Sequence, residues 1–505
     1  MTSLVYLLQG FSNAISIDNL FFALGGSVLG TLVGVLPGIG PTAGIAILLP
    51  VTTFLPPIPA IIMLAAIYYG AMYGGSTTSI LMNIPGEISS VITCVDGHEM
   101  AKQGRAAPAL AIAAISSFIA GTLGLVGLSF FAPPLANMAL RMGPPEILGL
   151  VIFAFSMVAS MSGRSILRGL TSAALGMLTC LVGLDPQLGI TRLTFGSITL
   201  TGGFNFIAII MGLFAMNEVF KNIGLEIKAI SSAQLGAWYK MIKLKEVVQS
   251  LPAIFRSTLT GFFIGCLPGA TPGIVTFMAY DFEKKVSKNR HNFGRGAIEG
   301  VAAPEGANNA CTSGGFVPLL TLGIPPSTSL AVLLSGLLIY GLQPGPLLFE
   351  RQPVFVWTVI ASMYIGNVML LILNLPLVGM WARMVRVPYR YIAPMILLFC
   401  FVGTYSVRNS YFDVGTCLAF GFIGLIMDRL EIPAIPLVLA LILAPMLEDA
   451  LRQTLAMGAG SLGILLNRPI ALILIGAGIA FVIITLYLRR RWARADALFS
   501  AAGDD

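Results

Sequence analysis

From Asn19 to Gly86 the chain runs for 68 residues without a single Asp, Glu, Lys, Arg or His. A soluble fold must keep charged groups on its outer face, whereas a bilayer core asks a helix for about 20 apolar residues in succession. Further charge-free runs lie at Ala106–Leu140, Leu193–Asn217, Ser257–Tyr280, Gly306–Phe349, Gln352–Ala382 and Pro469–Leu488. Apolar residues make up 56% of 505 and charged ones 10%, and the mean hydropathy is +0.90. These features predict an all-α integral membrane protein with about 12–14 transmembrane helices, half-helices included. Strands are not expected, because the runs lack two-residue alternation and backbone amides in lipid must be satisfied within their own segment. No polar segment is long enough for a second, soluble domain.

The N-terminus has neither a basic n-region nor a small-residue cleavage site and reads as unprocessed. The six cysteines are scattered without C-x-x-C spacing and read as small hydrophobes. A net charge of +7 in a soluble chain would point to nucleic acid. Here the positive residues gather in loops and in the tail Arg489–Arg494, so the C-terminus is expected in the cytoplasm and no nucleic acid is expected as a partner.

The long run is broken at "GVLPGIGPTAGIAILLP", Gly34–Pro50, and the break recurs in "GFFIGCLPGATPGIVTF", Gly261–Phe277. A shift of 231 aligns Gly30, Gly34, Leu36, Pro37, Gly38 and Pro41 with Gly261, Gly265, Leu267, Pro268, Gly269 and Pro272. Each copy is followed by a second break, "LMNIPGE" at Leu81–Glu87 and "LTLGIPP" at Leu320–Pro326, related by a shift of 240. Two internal repeats follow, 1–235 and 236–505, forming one membrane unit. Basic residues flank the second copy on both sides, yet only 24 uncharged residues separate Arg256 from Asp281. Two full crossings need roughly 40, so the segment is expected to be a re-entrant hairpin turning within the membrane at its Pro-Gly break. Proline removes a donor and glycine admits left-handed backbone, so each break bares main-chain groups, tolerable where they line a cavity. Proline kinks eased by packing are the alternative.

Polar residues precede each second break. Ser76, Thr77, Thr78, Ser79 and Asn83 offer oxygen ligands to a hard cation, or pack helices as small residues. Asn308 and Asn309, followed by Thr312 and Ser313, are adjacent amides that an unwound segment would present together. Glu299 and Glu305 read either as partners of Arg295 or proton relays, or as solvated loop residues. Glu146, Glu218 and Asp413 lie near run ends, where snorkelling is possible. With no cationic cluster inside the membrane runs, backbone amides at half-helix N-termini are the expected anion ligands. Only His98 and His291 exist, which argues against a histidine metal site or a Ser-His-Asp triad, and no cofactor is expected. A membrane-embedded enzyme would have to use Glu87, Asp96 or Glu305; a channel could use the broken helices as a filter.

"GVLPGIGPTAGIAILLP", "YYGAMYGGSTTSILMNIPGE" with "DGHEMAKQGRA", "APEGANNA" with "VPLLTLGIP", "GLFAMNEVF" and "LLNRPIALIL" closely resemble the large membrane subunit of the tripartite tricarboxylate transporter family, across nearly the whole chain. Two positions depart from that pattern: Gly306 stands where alanine is usual, and Pro326 where glycine is. The resemblance implies a bacterial inner-membrane permease working with a small four-helix membrane subunit and a periplasmic solute-binding protein. It implies uptake of di- or tricarboxylates such as citrate, driven by Na⁺ or H⁺. Together with the breaks, it makes Pro37, Gly38, Gly40, Thr42, Gly269, Thr271, Asn308, Asn309, Thr312 and Ser313 candidate substrate contacts. Ser76, Thr77, Thr78, Asn83 and Gly86 are candidate ion contacts.

Overall fold

The computed structural model describes residues 2–36, 39–156, 165–185, 187–222, 241–267, 271–384 and 389–501. The main helices are α1 (Thr2–Ala14), α2 (Ile17–Val35), α3 (Gly40–Thr52), α4 (Pro57–Met82), α5 (Thr93–Lys102), α6 (Ala106–Ala139), α7 (Pro144–Ser156), α8 (Ile166–Cys180) and α9 (Phe206–Ile210). They continue with α10 (Leu244–Gly265), α11 (Pro272–Val286), α12 (Glu299–Leu322), α13 (Thr328–Ile339), α14 (Pro353–Asn374), α15 (Tyr389–Arg408), α16 (Tyr411–Arg429), α17 (Ala434–Met457) and α18 (Pro469–Ala501). Among the described residues, eight helices are long and apolar enough to span a membrane, and five shorter apolar ones accompany them. The strands are two residues each, Gly183–Leu184 paired antiparallel with Thr191–Arg192.

The chain divides into two compact units, residues 1–140 with 205–425, and 141–204 with 426–505. These are not the sequence halves 1–235 and 236–505; each unit takes segments from both.

In the first unit α2 packs on α4 and α10 on α12, and glycine sets both contacts. A Cβ at Gly30 would lie 2.5 Å from the Ile67 carbonyl oxygen, and one at Gly34 2.2 Å from that of Ala71. In the second pair, Gly261 meets the Ala307 oxygen at 2.4 Å and Gly265 that of Cys311 at 2.5 Å. The contact also runs the other way: Gly74 faces the Thr31 oxygen at 2.4 Å, and Gly314 faces the Phe262 oxygen at 2.3 Å. Residues offset by 231 on one helix therefore touch residues offset by 240 on the next. Without Cβ atoms the backbones approach closely enough for dispersion to contribute strongly to helix association in lipid. Both central helices stop on a left-handed residue, Asn83 (φ 56°) after α4 and Gly323 (φ 71°) after α12, which are likewise offset by 240. Asn and Gly are the residues that tolerate this backbone.

The arms α10 and α11 fold back on each other, and Arg256 clamps Glu283 through Nε (2.9 Å) and Nη2 (2.6 Å). From that clamp to the break each arm has about 11 residues, roughly 17 Å at 1.5 Å per residue. That is about half of a 30 Å core, although the whole of α10, Leu244–Gly265, is long and apolar enough to cross one.

The second unit joins α7, α8, α17 and α18 through close approaches at Gly149 to Ala471 and Gly176 to Leu437. Its loop 181–197 is tied by Asp185, which accepts from Arg452 Nη2 (2.8 Å) and from the amides of Gln187 (2.9 Å) and Leu188 (3.1 Å). The Arg452 guanidinium, bonded first, holds the Asp185 carboxyl well below the usual carboxylate range, and the two amides add to this. Glu146 and Asp413 do not snorkel. Each is buried and bonded, Glu146 by the Gly143 amide (2.9 Å) and Asp413 by Asn205 Nδ2 (3.0 Å), because burial leaves a carboxylate needing donors.

Candidate transport site

The described flanks of the two breaks show why the helices stop there. α2 ends at Leu36, whose amide still bonds Leu32 (3.0 Å); α3 restarts at Gly40, in left-handed backbone (φ 64°), with Pro41 in its first turn. α11 begins with Pro272 after an extended Thr271 whose side chain makes no cap. Proline costs nothing at a helix start, where its missing amide had no partner, and the remaining amides of the turn stay available.

The break of each half meets the second break of the other. Thr42, in the first turn of α3, shares a hydrogen bond of 2.8 Å with Ser329 in the first turn of α13. The 231-shifted counterpart of Thr42 is Gly273, where a Cβ would lie 2.7 Å from Ile88 Cγ2, beside Ser89, the 240-shifted counterpart of Ser329. The central helices cross over in the same manner. Asn308 Nδ2 on α12 donates to Glu87 Oε1 after α4 (3.2 Å), while Tyr68 on α4 bonds Ser327 after α12; these pairs again correspond under the 240 shift.

Asn308 and Asn309 stand in an unbroken helix, which corrects the expectation of an unwound segment. Much of their neighbourhood bonds along the helix, Asn309 Nδ2 donating to the Glu305 oxygen (3.2 Å), Thr312 to that of Asn308 (2.9 Å) and Ser313 to that of Asn309 (3.2 Å), while the buried Asn308 Oδ1 has no partner. Back-bonding of this kind lets polar residues ride within a helix. Glu305 is not a solvated loop residue either. It is 1% exposed, and its carboxylate accepts from Ser76 Oγ and Thr93 Oγ1, both at 2.6 Å, and from Ser117. Glu299 is also buried, and accepts from Gln249 (2.8 Å) and Asn289 (2.6 Å) rather than Arg295.

Of the candidate substrate contacts, Pro37, Gly38 and Gly269 lie outside the described residues. Gly40, Thr42 and Thr271 sit at the helix restarts, half-exposed. Asn308, Asn309, Thr312 and Ser313 are buried in α12, which is buried on every side. Among the candidate ion contacts, Ser76 and Thr77 border a small cavity. Thr78 donates to the Gly75 oxygen (3.1 Å), Asn83 forms the left-handed stop, and Gly86 packs where a Cβ would lie 2.2 Å from the Gly34 oxygen. These last three shape backbone instead of facing that cavity.

Asp96, weighed above as a possible catalytic acid, is wholly buried and fully engaged. Its Oδ1 accepts from the amides of Gly294 (2.9 Å), Gly296 (2.8 Å) and Ala297 (2.8 Å), and its Oδ2 from Tyr280 (2.7 Å). It anchors the loop that leads into α12, an anion at a helix start. His98 sits in α5 with Nδ1 3.1 Å from the Ile80 oxygen. Sequence reasoning missed the central place of Glu305 and of Asn367, which links Tyr73 (2.5 Å) to the Phe118 oxygen (3.0 Å) and Thr122 (2.9 Å). The signal for Glu305 was its place one residue ahead of a 44-residue charge-free run. Gly306 also gains a reason: a methyl there would meet Ser257 Oγ at 2.6 Å and Ser116 Oγ at 3.0 Å, so two serines occupy the room alanine would need.

A model of the tripartite tricarboxylate transporter TctA family matches residues 20–439. Two proteins of Agrobacterium vitis are similar in sequence. One is an uncharacterized 52.8 kDa protein of the TAR-I ttuC′ 3′ region, 42% identical over 480 residues, 94% of this chain and 95% of its own. The other, an uncharacterized protein of the TAR-II ttuC′ 3′ region, is 42% identical over 226 residues, 45% of this chain and 93% of its own. No solved structure matches the chain. With the match spanning the breaks, the central helices and both glycine-packed pairs, the chain is a multi-pass membrane component of a multi-subunit transport system and belongs to the tripartite tricarboxylate transporter TctA family.

Proposed function

We propose that this chain is the permease of a secondary-active uptake system for carboxylate anions, di- and tricarboxylates such as citrate, coupled to Na⁺ or H⁺. On this reading it lies in a bacterial inner membrane with its C-terminus in the cytoplasm. A periplasmic solute-binding protein captures the anion and delivers it, and a small four-helix subunit completes the complex. The two halves act as related repeats, and the cargo sits between the broken helices.

The observation that carries this reading is the reciprocal meeting of breaks, Thr42 with Ser329 and Gly273 with Ile88. It brings the starts of α3, α11 and α13 into two equivalent contacts at which none of the named side chains is Lys or Arg. Free amides at such starts carry partial positive charge and hold carboxylates without a cationic side chain. Two cavities beside the central helices, one at Ser76 and Asn374 and the other at Asn309 and Asn367, each measure about 10 Å³, room for about one water. A tricarboxylate needs far more, so on this reading the tips part to admit cargo, and the hairpin-bearing core moves against the remaining helices in alternating access.

The test is reconstitution with both partners and a screen of carboxylates under imposed Na⁺ or proton gradients. Accumulation against a concentration gradient is expected. Conductance without coupling would make the chain a channel and overturn the proposal.

A further inference from the structure

The loop that follows α8 has its polarity reversed. Its polar side chains turn inward: Asp185 is 1% and Thr194 8% exposed, and the Arg192 guanidinium is held by Glu448 Oε1 at 2.8 Å. Its large apolar side chains turn outward. Leu184, Leu188, Ile190 and Leu193 are exposed, and Phe195 and Ile198 almost completely so, at 89% and 91%. A loop in water buries such residues and shows its polar ones.

The backbone fixes this arrangement. Gly183–Leu184 pairs with Thr191–Arg192, the Asp185 amide bonds the Ile190 oxygen (2.8 Å), and the Ser197 amide bonds that of Thr194 (2.8 Å). Leu193 (φ 53°) and Phe195 (φ 48°) both take left-handed backbone, which side chains of their size seldom adopt. Between them Thr194 is the residue that turns in.

Two observations identify what faces the apolar side. The first is depth. Asp185 is tied to Arg452, 18 residues past Ala434 at the start of α17, which is about 27 Å at 1.5 Å per residue. The exposed ion pair of Arg168 with Glu431 lies just before that start. With one charged pair at each end of a roughly 30 Å core, the loop sits at the membrane boundary. Non-helical backbone is excluded from the hydrocarbon interior but is solvated at that level. The second is continuity. Along α8, Leu167, Leu170 and Leu178 are exposed while Gly176 packs against Leu437 of α17, so this membrane helix has an outward apolar stripe, and exposure resumes at Leu184 just past its end. Between Leu184 and Leu200 the only charged side chains are Asp185 and Arg192, both engaged with α17, so the outward side offers nothing to a charged partner.

We propose that this loop is an interfacial anchor whose apolar side chains, Phe195 and Ile198 foremost, enter the acyl-chain boundary of the leaflet at the Arg452 end of α17. Its partner is a lipid surface. Asp185 and Arg192 fasten it to α17, so the anchor fixes that helix's height in the bilayer. The inference needs only that the chain spans a membrane and is independent of what it carries.

The test is tryptophan fluorescence of Phe195→Trp in the full chain, reconstituted alone in liposomes, with the emission of the unsubstituted chain subtracted. The quenchers are phospholipid brominated near the top of its acyl chains and iodide present on both sides of the bilayer. A side chain about 5–10 Å into the headgroup and acyl boundary is shielded from the aqueous phase, so iodide should quench the added emission roughly fivefold less than it quenches N-acetyltryptophanamide. Brominated lipid should quench it strongly. Iodide quenching equal to that of N-acetyltryptophanamide puts the loop in water and overturns the anchor. Protection from iodide without quenching by brominated lipid means that a second copy of the chain covers the loop, and overturns it too. Ile198→Trp is read in the same way, so misfolding of Phe195→Trp does not leave the anchor undecided.

Discussion

Replacing Asp96 with alanine removes one carboxylate from four donors at once. Two of them, the amides of Gly296 and Ala297, are buried, as is the Tyr280 hydroxyl, while Gly294 is exposed and can turn to water. A buried donor left unpaired costs about 1–3 kcal/mol. Tyr280 can rotate its proton toward another acceptor, so the two amides dominate and the loss is about 3–5 kcal/mol, at the severe end for a single substitution. Asp96→Asn keeps one acceptor oxygen and should lose about 1–2 kcal/mol, because hydrogen bonds to a charged group exceed neutral ones by that order. The effect is local, so amide hydrogen exchange over residues 293–302 is the suitable assay. Protection there should fall by roughly 10²–10⁴ in Asp96→Ala and about tenfold in Asp96→Asn. Unchanged protection in Asp96→Ala would refute the anchoring role and return Asp96 to the list of residues free for chemistry.

Three further outcomes follow from the same geometry. Gly34→Ala and Gly265→Ala should each cost about 1–3 kcal/mol by forcing packed helices apart, read as a lowered unfolding temperature in detergent; Gly25→Ala, where a Cβ meets nothing within 4 Å, is the control. Thr42→Cys with Ser329→Cys should form a disulfide under mild oxidation, as the native oxygens are 2.8 Å apart; a pair that never cross-links would deny that the two tips meet. Asp185 carries a depressed carboxyl outside the membrane spans, so its contribution to loop stability is complete at neutral pH. That contribution is lost only as pH falls below the ordinary carboxylate value of about 3.9 toward the lowered one. Exchange protection of residues 183–192 should therefore hold from neutral pH to about pH 4, and Arg452→Gln should move the acid loss to higher pH.

The membrane class, the breaks and the hairpin return of α10 and α11 were legible because each depends on local facts: absent charge, a Pro-Gly pair, and basic residues flanking too short a run. The glycines were visible, but their purpose was not. Gly30 and Gly34 read only as matching positions of the internal repeat, and only the packed structure shows the Ile67 and Ala71 carbonyls filling the space a Cβ would take. Asn308 misled because adjacent amides on a helix point to different neighbours, and here both neighbours exist: Glu87 for one, the Glu305 backbone for the other. Glu305 was underrated because a carboxylate beside a polar loop has the same sequence whether it is solvated or buried. Three hydroxyls from α4, α5 and α6 make it a core residue, and no local pattern announces contacts of such separation.

Reconstitution of the chain with its partner subunits in liposomes, with labelled citrate outside together with the binding protein, tests the transport claim directly. The account predicts that an inward Na⁺ gradient drives citrate, or another di- or tricarboxylate found in the screen, above its external concentration. Entry that stops at equilibrium under every imposed Na⁺ or proton gradient would contradict it.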